Sequence, residues 1–252
     1  MVESQTLAYP MAAWHPSRNT AIALLTELGM ILAYALLGRY ADDMLEVALI
    51  GLVVVPVFAV VIPVYWTVIV EHRDLAALGL TLRGAFPSLL LSLGLSLILL
   101  APITYMRLPG VSAERWLPMA IAGAVSLFEP LFIFGWLQLR FEKDFGILPA
   151  ILMAAGGFAL YHVGYMPDAM SGEFYNAAVW AIAFRLTRNL LVTWPVLWAT
   201  TSAYICYASN VCFFNWGMVT GSSMVFVLEI VLIGIIALVG RRAIRGGMSA
   251  HA

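Results

Sequence analysis

The sequence predicts an all-α fold, a polytopic membrane helical bundle, on three observations. Hydrophobic residues make up 63% of the 252 residues and charged residues 11%, whereas globular domains carry about 25% charged residues. The mean hydropathy is +0.94. Apolar runs also recur at lengths suited to a hydrocarbon core about 30 Å thick, which takes about 20 helical residues to cross. Because these runs are continuous rather than alternating, we expect helices instead of barrel strands.

Seven apolar runs are long enough for full spans. They lie at about 20–38, 47–70, 86–106, 117–139, 147–164, 189–207 and 223–240. An eighth run, at 175–184, is short and predicts a partial or tilted sixth helix. We therefore expect about eight transmembrane helices, seven full spans and one short one, in a single transmembrane domain over residues 1–252. A polar N-terminal leader at 1–19 and a basic cytoplasmic tail at 241–252 flank the bundle.

The connections predict the orientation of the bundle. With eight crossings, the Lys and Arg residues of the connections divide ten against three between the two sides. Positive residues concentrate on the cytoplasmic side of a membrane. Both termini are therefore expected in the cytoplasm, with the protein integral to the bacterial cytoplasmic (inner) membrane. The richer side holds Arg18, Arg73, Arg83, Arg140, Lys143, Arg185, Arg188, Arg241, Arg242 and Arg245, and the other side holds Arg39, Arg107 and Arg115.

Composition also excludes several kinds of site. A net charge of −1 without a long basic run argues against nucleic acid as a partner. Cys206 and Cys212 fit neither a redox pair nor a zinc site, so we expect them to be packing residues. Catalytic zinc takes three protein ligands, and the remaining histidines of the chain lie outside the predicted spans. We expect no metal and no cofactor.

Four ionisable residues fall at membrane depth: Glu27, Glu129, His162 and Glu229. An ionised carboxylate there costs at least about 2.5 to 3.5 kcal/mol, so each residue is a candidate for function. Glu27 and Glu229 lie about two turns from the predicted ends of their helices. A partner arginine, a water cleft or protonation would accommodate either one. We expect structural ion pairs for these two residues and for Arg188, which lies near a membrane boundary.

Glu129 has the more informative surroundings. It lies in the run LFEPLFIFGWLQLRF, directly before Pro130. Proline removes a backbone donor and predicts a kink about one turn upstream, near Leu127. About thirty residues later, on the next apolar run, FALYH places Phe158 four residues before His162.

These residues resemble the motifs of the CAAX-protease and bacteriocin-processing (CPBP, or Abi) proteins, which are membrane-embedded proteases. The first motif of that family reads Glu-Glu-x-x-x-Arg-Gly on one transmembrane helix, and the second reads Phe-x-x-x-His on the next. Glu129 matches the first glutamate, Gly135 the glycine, and Phe158 with His162 the second motif. The resemblance covers roughly residues 75–205 and implies a CPBP-like helical core.

The chain departs from this family pattern at several positions. Pro130 stands at the second glutamate and Phe134 at the arginine. A third motif normally supplies a histidine, often followed by an asparagine or aspartate. The corresponding stretch, LLVTWPVLWATTSAY at 190–204, contains no histidine, and Asn189 is the nearest amide.

The resemblance implies glutamate-type peptide hydrolysis. Glu129 would act as general base on a water, His162 would orient it, and third-motif residues would hold the oxyanion. Phe158, Gly135 and Asn189 are the supporting candidates.

Because several catalytic positions are replaced, we expect a non-catalytic scaffold or accessory subunit of a membrane protein complex. In that interpretation Glu129 and His162 form an interhelical hydrogen-bonded pair, and the partners are the lipid bilayer and other membrane protein subunits. A divergent intramembrane endopeptidase cleaving a membrane-bound or prenylated peptide is the alternative. A small transporter is a further one, although no repeated halves support it.

Overall fold

The computed structural model describes residues 9–39, 49–106, 112–162, 170–209, 212 and 215–249. These residues form nine helices and no strand, when contiguous α and π turns are counted as one helix. The all-α prediction is confirmed. The helices are α1 (Arg18–Arg39), α2 (Gly51–Val70), α3 (Ala85–Met106), α4 (Ala113–Ala124), α5 (Phe128–Phe145), α6 (Ile147–Tyr161), α7 (Met170–Thr187), α8 (Val196–Ser209) and α9 (Trp216–Ser249).

Fewer than eight of the described helices are long and apolar enough to count as membrane crossings. In the described parts of the chain, α1, α2, α3 and α9 are each long and apolar enough to cross a membrane. The bent pair α4 and α5 adds a fifth span if the two helices are taken as one. Helix α6 is apolar but has only 15 residues. Helix α7, predicted as a short segment at 175–184, is an 18-residue helix. Eight crossings therefore stay a prediction.

The run predicted as one span at 117–139 is two helices. Helix α4 ends at Ala124, α5 begins at Phe128, and their axes differ by 44°. Pro130 lies in the first turn of α5, where a missing backbone donor costs little. The kink predicted near Leu127 is therefore observed as a complete break. Beyond Pro130, the segment Leu131–Gln138 is a π-helix whose eight residues are all buried, and it forms the centre of the core.

The run predicted at 189–207 begins its regular helix later than expected. The Asn189 side chain accepts a hydrogen bond from Leu191 N and caps a 3₁₀ turn at Leu190–Val192. Helix α8 then starts at Val196, directly after Pro195. Because proline restricts the residue before it to extended conformations, a continuous helix through this position is disfavoured.

Several connections meet at one end of the bundle, which we call the basic end. It comprises the N-terminal segment 10–17 and the connections 71–84, 140–147 and 185–190. Ala13 N donates to Phe145 O at 2.7 Å and Ile147 N donates to Pro10 O at 3.0 Å. Leu190 N donates to Gly79 O at 3.0 Å.

The basic end agrees with the charge grouping predicted from the sequence. Most of the Lys and Arg residues assigned to the richer side lie in or beside its segments, namely Arg18, Arg73, Arg83, Arg140, Lys143, Arg185 and Arg188. The assignment of this end to the cytoplasm stays a prediction.

The two cysteines correct one expectation. Cys206, near the end of α8, is bonded to Cys212, and their Cα atoms lie 4.7 Å apart. They were predicted to be packing residues only. Their spacing of six residues had not suggested the disulfide, because it is not a CxxC spacing.

Candidate functional site

The break before α5 places Glu129 at the start of a helix. Glu129 lies in the first turn of α5, next to the buried π-helical segment, and is itself half-buried. Backbone N–H groups at a helix N-terminus carry partial positive charge, which favours a carboxylate there. The break therefore lets the N-terminus of α5 stabilise the Glu129 carboxylate, which a membrane interior would otherwise destabilise.

Three side chains donate hydrogen bonds to the Glu129 carboxylate. Ser126 Oγ, from the break itself, lies 2.9 Å from Oε2. Tyr161 Oη, at the end of α6, lies 3.1 Å from Oε1. Trp198 Nε1, in the first turn of α8, lies 3.1 Å from Oε2. A carboxylate has about four acceptor positions, so these donors occupy most of them and join three helices through one acid.

His162 lies beside this junction at the end of α6. Its Nδ1 is 2.7 Å from Phe158 O. Because a carbonyl oxygen only accepts, we assign the ring proton to Nδ1, which leaves Nε2 as the basic nitrogen. The imidazole is buried and stacks on Tyr161, with ring centroids 4.6 Å apart.

Glu129 and His162 lie near each other, and their predicted pairing stays a prediction. The Glu129 carboxylate lies within electrostatic range of the imidazole. Tyr161, which precedes His162 in the chain, donates to Glu129 and stacks on the imidazole, so it links the two residues. A direct hydrogen bond between acid and imidazole stays a prediction.

Phe158 belongs to the same site. Its carbonyl fixes His162, and its ring packs edge-on against Trp198, with centroids 5.6 Å apart. Trp180 of α7 completes the aromatic cluster, 4.6 Å from Trp198. The second motif therefore positions both the histidine and the indole that binds Glu129.

Gly135 and Asn189, the other supporting candidates, hold the basic end together. A Cβ on Gly135 would lie 2.5 Å from Leu78 O, so only glycine lets the 75–78 turn approach α5 this closely. Asn189 Nδ2 donates to Thr81 O at 3.0 Å and to Arg83 O at 2.9 Å. The structure places both residues in scaffolding contacts with the connection between α2 and α3.

The predicted ion pairs have different outcomes. Arg188 forms an ion pair with the buried Glu142. Glu27 and Glu229 are buried, and among the described residues neither forms an ion pair. The Glu27 oxygens have no hydrogen-bond partner there, whereas the Glu229 carboxylate lies near the backbone N–H of Phe128 at the start of α5. Glu27 packs on Gly157, where a Cβ would lie 2.7 Å from its Oε1. Glu229 lies within electrostatic range of Glu129.

Several residues of the site were not predicted from the sequence. Ser126 had a local signal, because Ser-x-x-Glu at 126–129 is the pattern of a helix start. Tyr161 and Trp198 had no sequence signal of their own; Tyr161 only precedes His162, and Trp198 only lies in the stretch 190–204. Glu173, on α7, is buried and lies within electrostatic range of Glu129, which adds a second carboxylate. Among the described residues, no three His, Cys, Asp or Glu side chains are grouped so as to hold a metal ion.

An open apolar cavity of about 370 Å³ lies between α3, α4 and α8. Its lining includes Ala199 and Ala203, one and five residues after Trp198. Trp116 and Tyr207 line it as well. Its lining is apolar.

Comparison with known proteins agrees with the motifs. Residues 111–203 match the family described as type II CAAX prenyl endopeptidase Rce1-like. The match runs from α4 into α8 and includes Glu129, His162 and Trp198. No curated protein and no solved structure gave a significant match. Over a little more than a third of its length, the chain is therefore similar to the CAAX prenyl endopeptidases, and the resemblance inferred from Glu129 and the Phe158–His162 pair is confirmed.

Proposed function

We propose that this CAAX protease-like membrane protein works without catalysis, as a scaffold or accessory subunit of a membrane protein complex. The observation that supports this most is the set of donors on Glu129. One of them, Trp198 Nε1, comes from the stretch where the related proteases carry a histidine. The acid therefore serves as the acceptor at a junction of helices.

The geometry is unfavourable for peptide hydrolysis. A general base needs an acceptor position within about 2.6 to 3.2 Å of the water it deprotonates. Ser126, Tyr161 and Trp198 already fill most positions on Glu129. The two donors best suited to an oxyanion, the indole N–H and the phenol, point at the acid itself. Each missing oxyanion donor typically lowers kcat by about 10² to 10³.

The same contacts suit a structural role. Through Glu129, the start of α5 is bonded to the end of α6 and the start of α8. Hydrogen bonds between membrane helices contribute about 0.6 to 2 kcal/mol each. Several of them on one acid fix the rotation of these helices and hence the surface that they offer to a partner subunit.

Glu129→Gln and Glu129→Leu form a matched pair of tests. The indole N–H can only donate, so a glutamine must turn its amide oxygen toward Trp198. The Tyr161 hydroxyl can then rotate and accept from the amide N–H. We expect Glu129→Gln to leave abundance and any stoichiometric complex from the native membrane nearly unchanged. Glu129→Leu has no acceptor and leaves the three donors without a partner, so it should reduce both the abundance of the protein and the amount of complex.

A peptidase assay supplies the opposite test. The purified protein is reconstituted in proteoliposomes with a prenylated peptide that ends in a CAAX sequence. We expect no cleavage above the Glu129→Gln background. Cleavage by the wild type that disappears in this variant, while the variant stays folded, would refute the non-catalytic role.

A divergent endopeptidase is the second candidate, because the half-buried Glu129 has both His162 and Glu173 within electrostatic range. A second carboxylate could hold a proton for the leaving amine. The apolar cavity beside α8 offers room for a lipid-linked or apolar substrate segment. In this case Glu173→Gln would lower kcat, whereas a scaffold would keep its complex in the same variant.

A further inference from the structure

An arginine cluster surrounds one buried acid at the basic end. Glu142 on α5 is fully buried and accepts a hydrogen bond from Gln138 Nε2 at 3.0 Å. Arg188 forms an ion pair with it, and Arg185 Nε lies 3.7 Å from the same carboxylate oxygen, Oε2. A single carboxylate therefore serves two guanidinium groups.

A third arginine and a phenol lie near the same cluster. The side chain of Tyr9, in the N-terminal segment, lies within electrostatic range of Arg188, Glu142, Arg73 and Arg185. With three arginines and one glutamate, the cluster carries a formal charge of +2.

The other acids among the described residues of the basic end do not neutralise this charge. Glu71 is paired with Arg140. Asp144 accepts a hydrogen bond from Ser17 Oγ at 2.6 Å and is buried. Asp74 and the adjacent Arg73 are both exposed, where solvent screens their charges. Among the described residues, an excess of positive charge on Arg185 and Arg188 over Glu142 therefore remains.

Arg188 has an unused donor in this cluster. One terminal nitrogen of its guanidinium binds Glu142, while the other, Nη1, is buried and has no hydrogen-bond partner among the described residues. The Arg188 backbone has φ +53°, a conformation uncommon for residues other than glycine. Residues held in this region concentrate at ligand clamps.

Apolar side chains beside the cluster mark the level of the membrane surface. Leu186, Leu82 and Phe86, on the flanking segments, are 75%, 86% and 73% exposed. Side chains of this kind are stable at such exposure when lipid covers them. Basic clusters between helix ends at this depth bind lipid phosphates.

We propose that Arg73, Arg185, Arg188 and Tyr9 form a binding site for a phosphate group, carried by an acidic phospholipid headgroup or by a soluble phosphate ester. The planar fork of a guanidinium matches phosphate oxygens and donates two parallel hydrogen bonds. In the proposed site, Nη1 of Arg188, which has no hydrogen-bond partner among the described residues, donates one of these bonds. The site lies at the opposite end of α5 from Glu129 and does not depend on the proposed function.

The test measures thermal unfolding of the full-length protein in neutral detergent. Phosphatidylglycerol, phosphatidylcholine and inorganic phosphate are titrated separately at constant ionic strength. We expect phosphatidylglycerol or inorganic phosphate to raise the unfolding temperature and phosphatidylcholine to have little effect. Stabilisation by inorganic phosphate alone identifies a soluble ester as the ligand class, and stabilisation by phosphatidylglycerol alone identifies a lipid.

Variants locate the site. Arg188→Gln should weaken binding roughly fivefold to tenfold, since a positive charge near a membrane surface contributes about 1 kcal/mol and the fork adds to it. Lys143→Gln removes one exposed positive charge from the same end and should leave the affinity unchanged. Glu142→Gln keeps every arginine but removes the competing acid, so it should tighten binding.

Each variant is compared with its own baseline unfolding temperature, so a loss of stability in Arg188→Gln does not obscure the ligand effect. Equal weakening by Arg188→Gln and Lys143→Gln would overturn the proposal, because general attraction would then explain binding. Unchanged or weaker binding in Glu142→Gln would overturn it as well, as would equal responses to both lipids.

Discussion

The indole of Trp198 provides the sharpest test of the Glu129 junction. Trp198→Phe keeps an aromatic ring next to Phe158 and Trp180 but removes the N–H that donates to Glu129 Oε2. A hydrogen bond to a charged group contributes about 1.5 to 3 kcal/mol in soluble proteins. In membranes the measured values average about 0.6 and reach about 1.7 kcal/mol. We therefore expect the hydrogen bond itself to account for about 1 to 2 kcal/mol.

The smaller ring also leaves a void, and the control must account for it. Trp180→Phe removes the same volume from the same aromatic cluster, and Trp180 is buried to a similar extent. In a protein of this size 1 kcal/mol shifts the unfolding temperature by about 2 to 4 °C. The unfolding temperature of Trp198→Phe should therefore lie about 2 to 8 °C below that of Trp180→Phe. Unfolding is measured by far-ultraviolet circular dichroism in detergent. Equal unfolding temperatures would show that the indole N–H contributes nothing to the junction.

Three further substitutions test other contacts. Gly135→Ala should destabilise the protein by about 1 to 3 kcal/mol, because the added Cβ clashes with Leu78 O. Gly156→Ala is the control, since Gly156 has open space around it, and it should be neutral or slightly stabilising. Thermal unfolding measures both variants. Asn189→Ala leaves the carbonyls of Thr81 and Arg83 without their donor and should lower the stability of the protein by about 1 to 3 kcal/mol. Proteolysis of the 79–83 connection should become faster. An unchanged cleavage rate would contradict the role of Asn189 in holding this connection. Glu27→Leu removes a buried acid that has no hydrogen-bond partner among the described residues, so it should raise the unfolding temperature. An unchanged or lower unfolding temperature would contradict this.

Local sequence patterns account for most of the helices. The runs at 20–38 and 86–106 agree with α1 and α3 to within two residues at each end. Pro130 located the break before α5. The late start of α8 was not predicted, although Pro195 is a local signal against a continuous helix. The 3₁₀ turn before it depends in addition on the Asn189 side chain, which folds back onto Leu191 N.

The site was predictable only in part, for a physical reason. Glu129 and His162 are recognised by type and spacing, since a carboxylate and an imidazole at membrane depth are costly and rare. The donors Tyr161 and Trp198 are fixed by the rotation of α6 and α8 about their axes, which depends on the whole bundle. No local pattern encodes which edge of an aromatic ring faces an acid.

The contact between the N-terminal segment and the end of α5 has a consequence for how the chain matures in the membrane. Ala13 bonds Phe145, and Pro10 bonds Ile147. Phe145 and Ile147 leave the ribosome more than 130 residues after Ala13 and Pro10. At ordinary rates of synthesis this is a delay on the order of ten seconds. During that interval residues 10–13 lack these two partners. A chaperone or protease that meets the nascent protein therefore finds this segment without these contacts until residue 147 has been made.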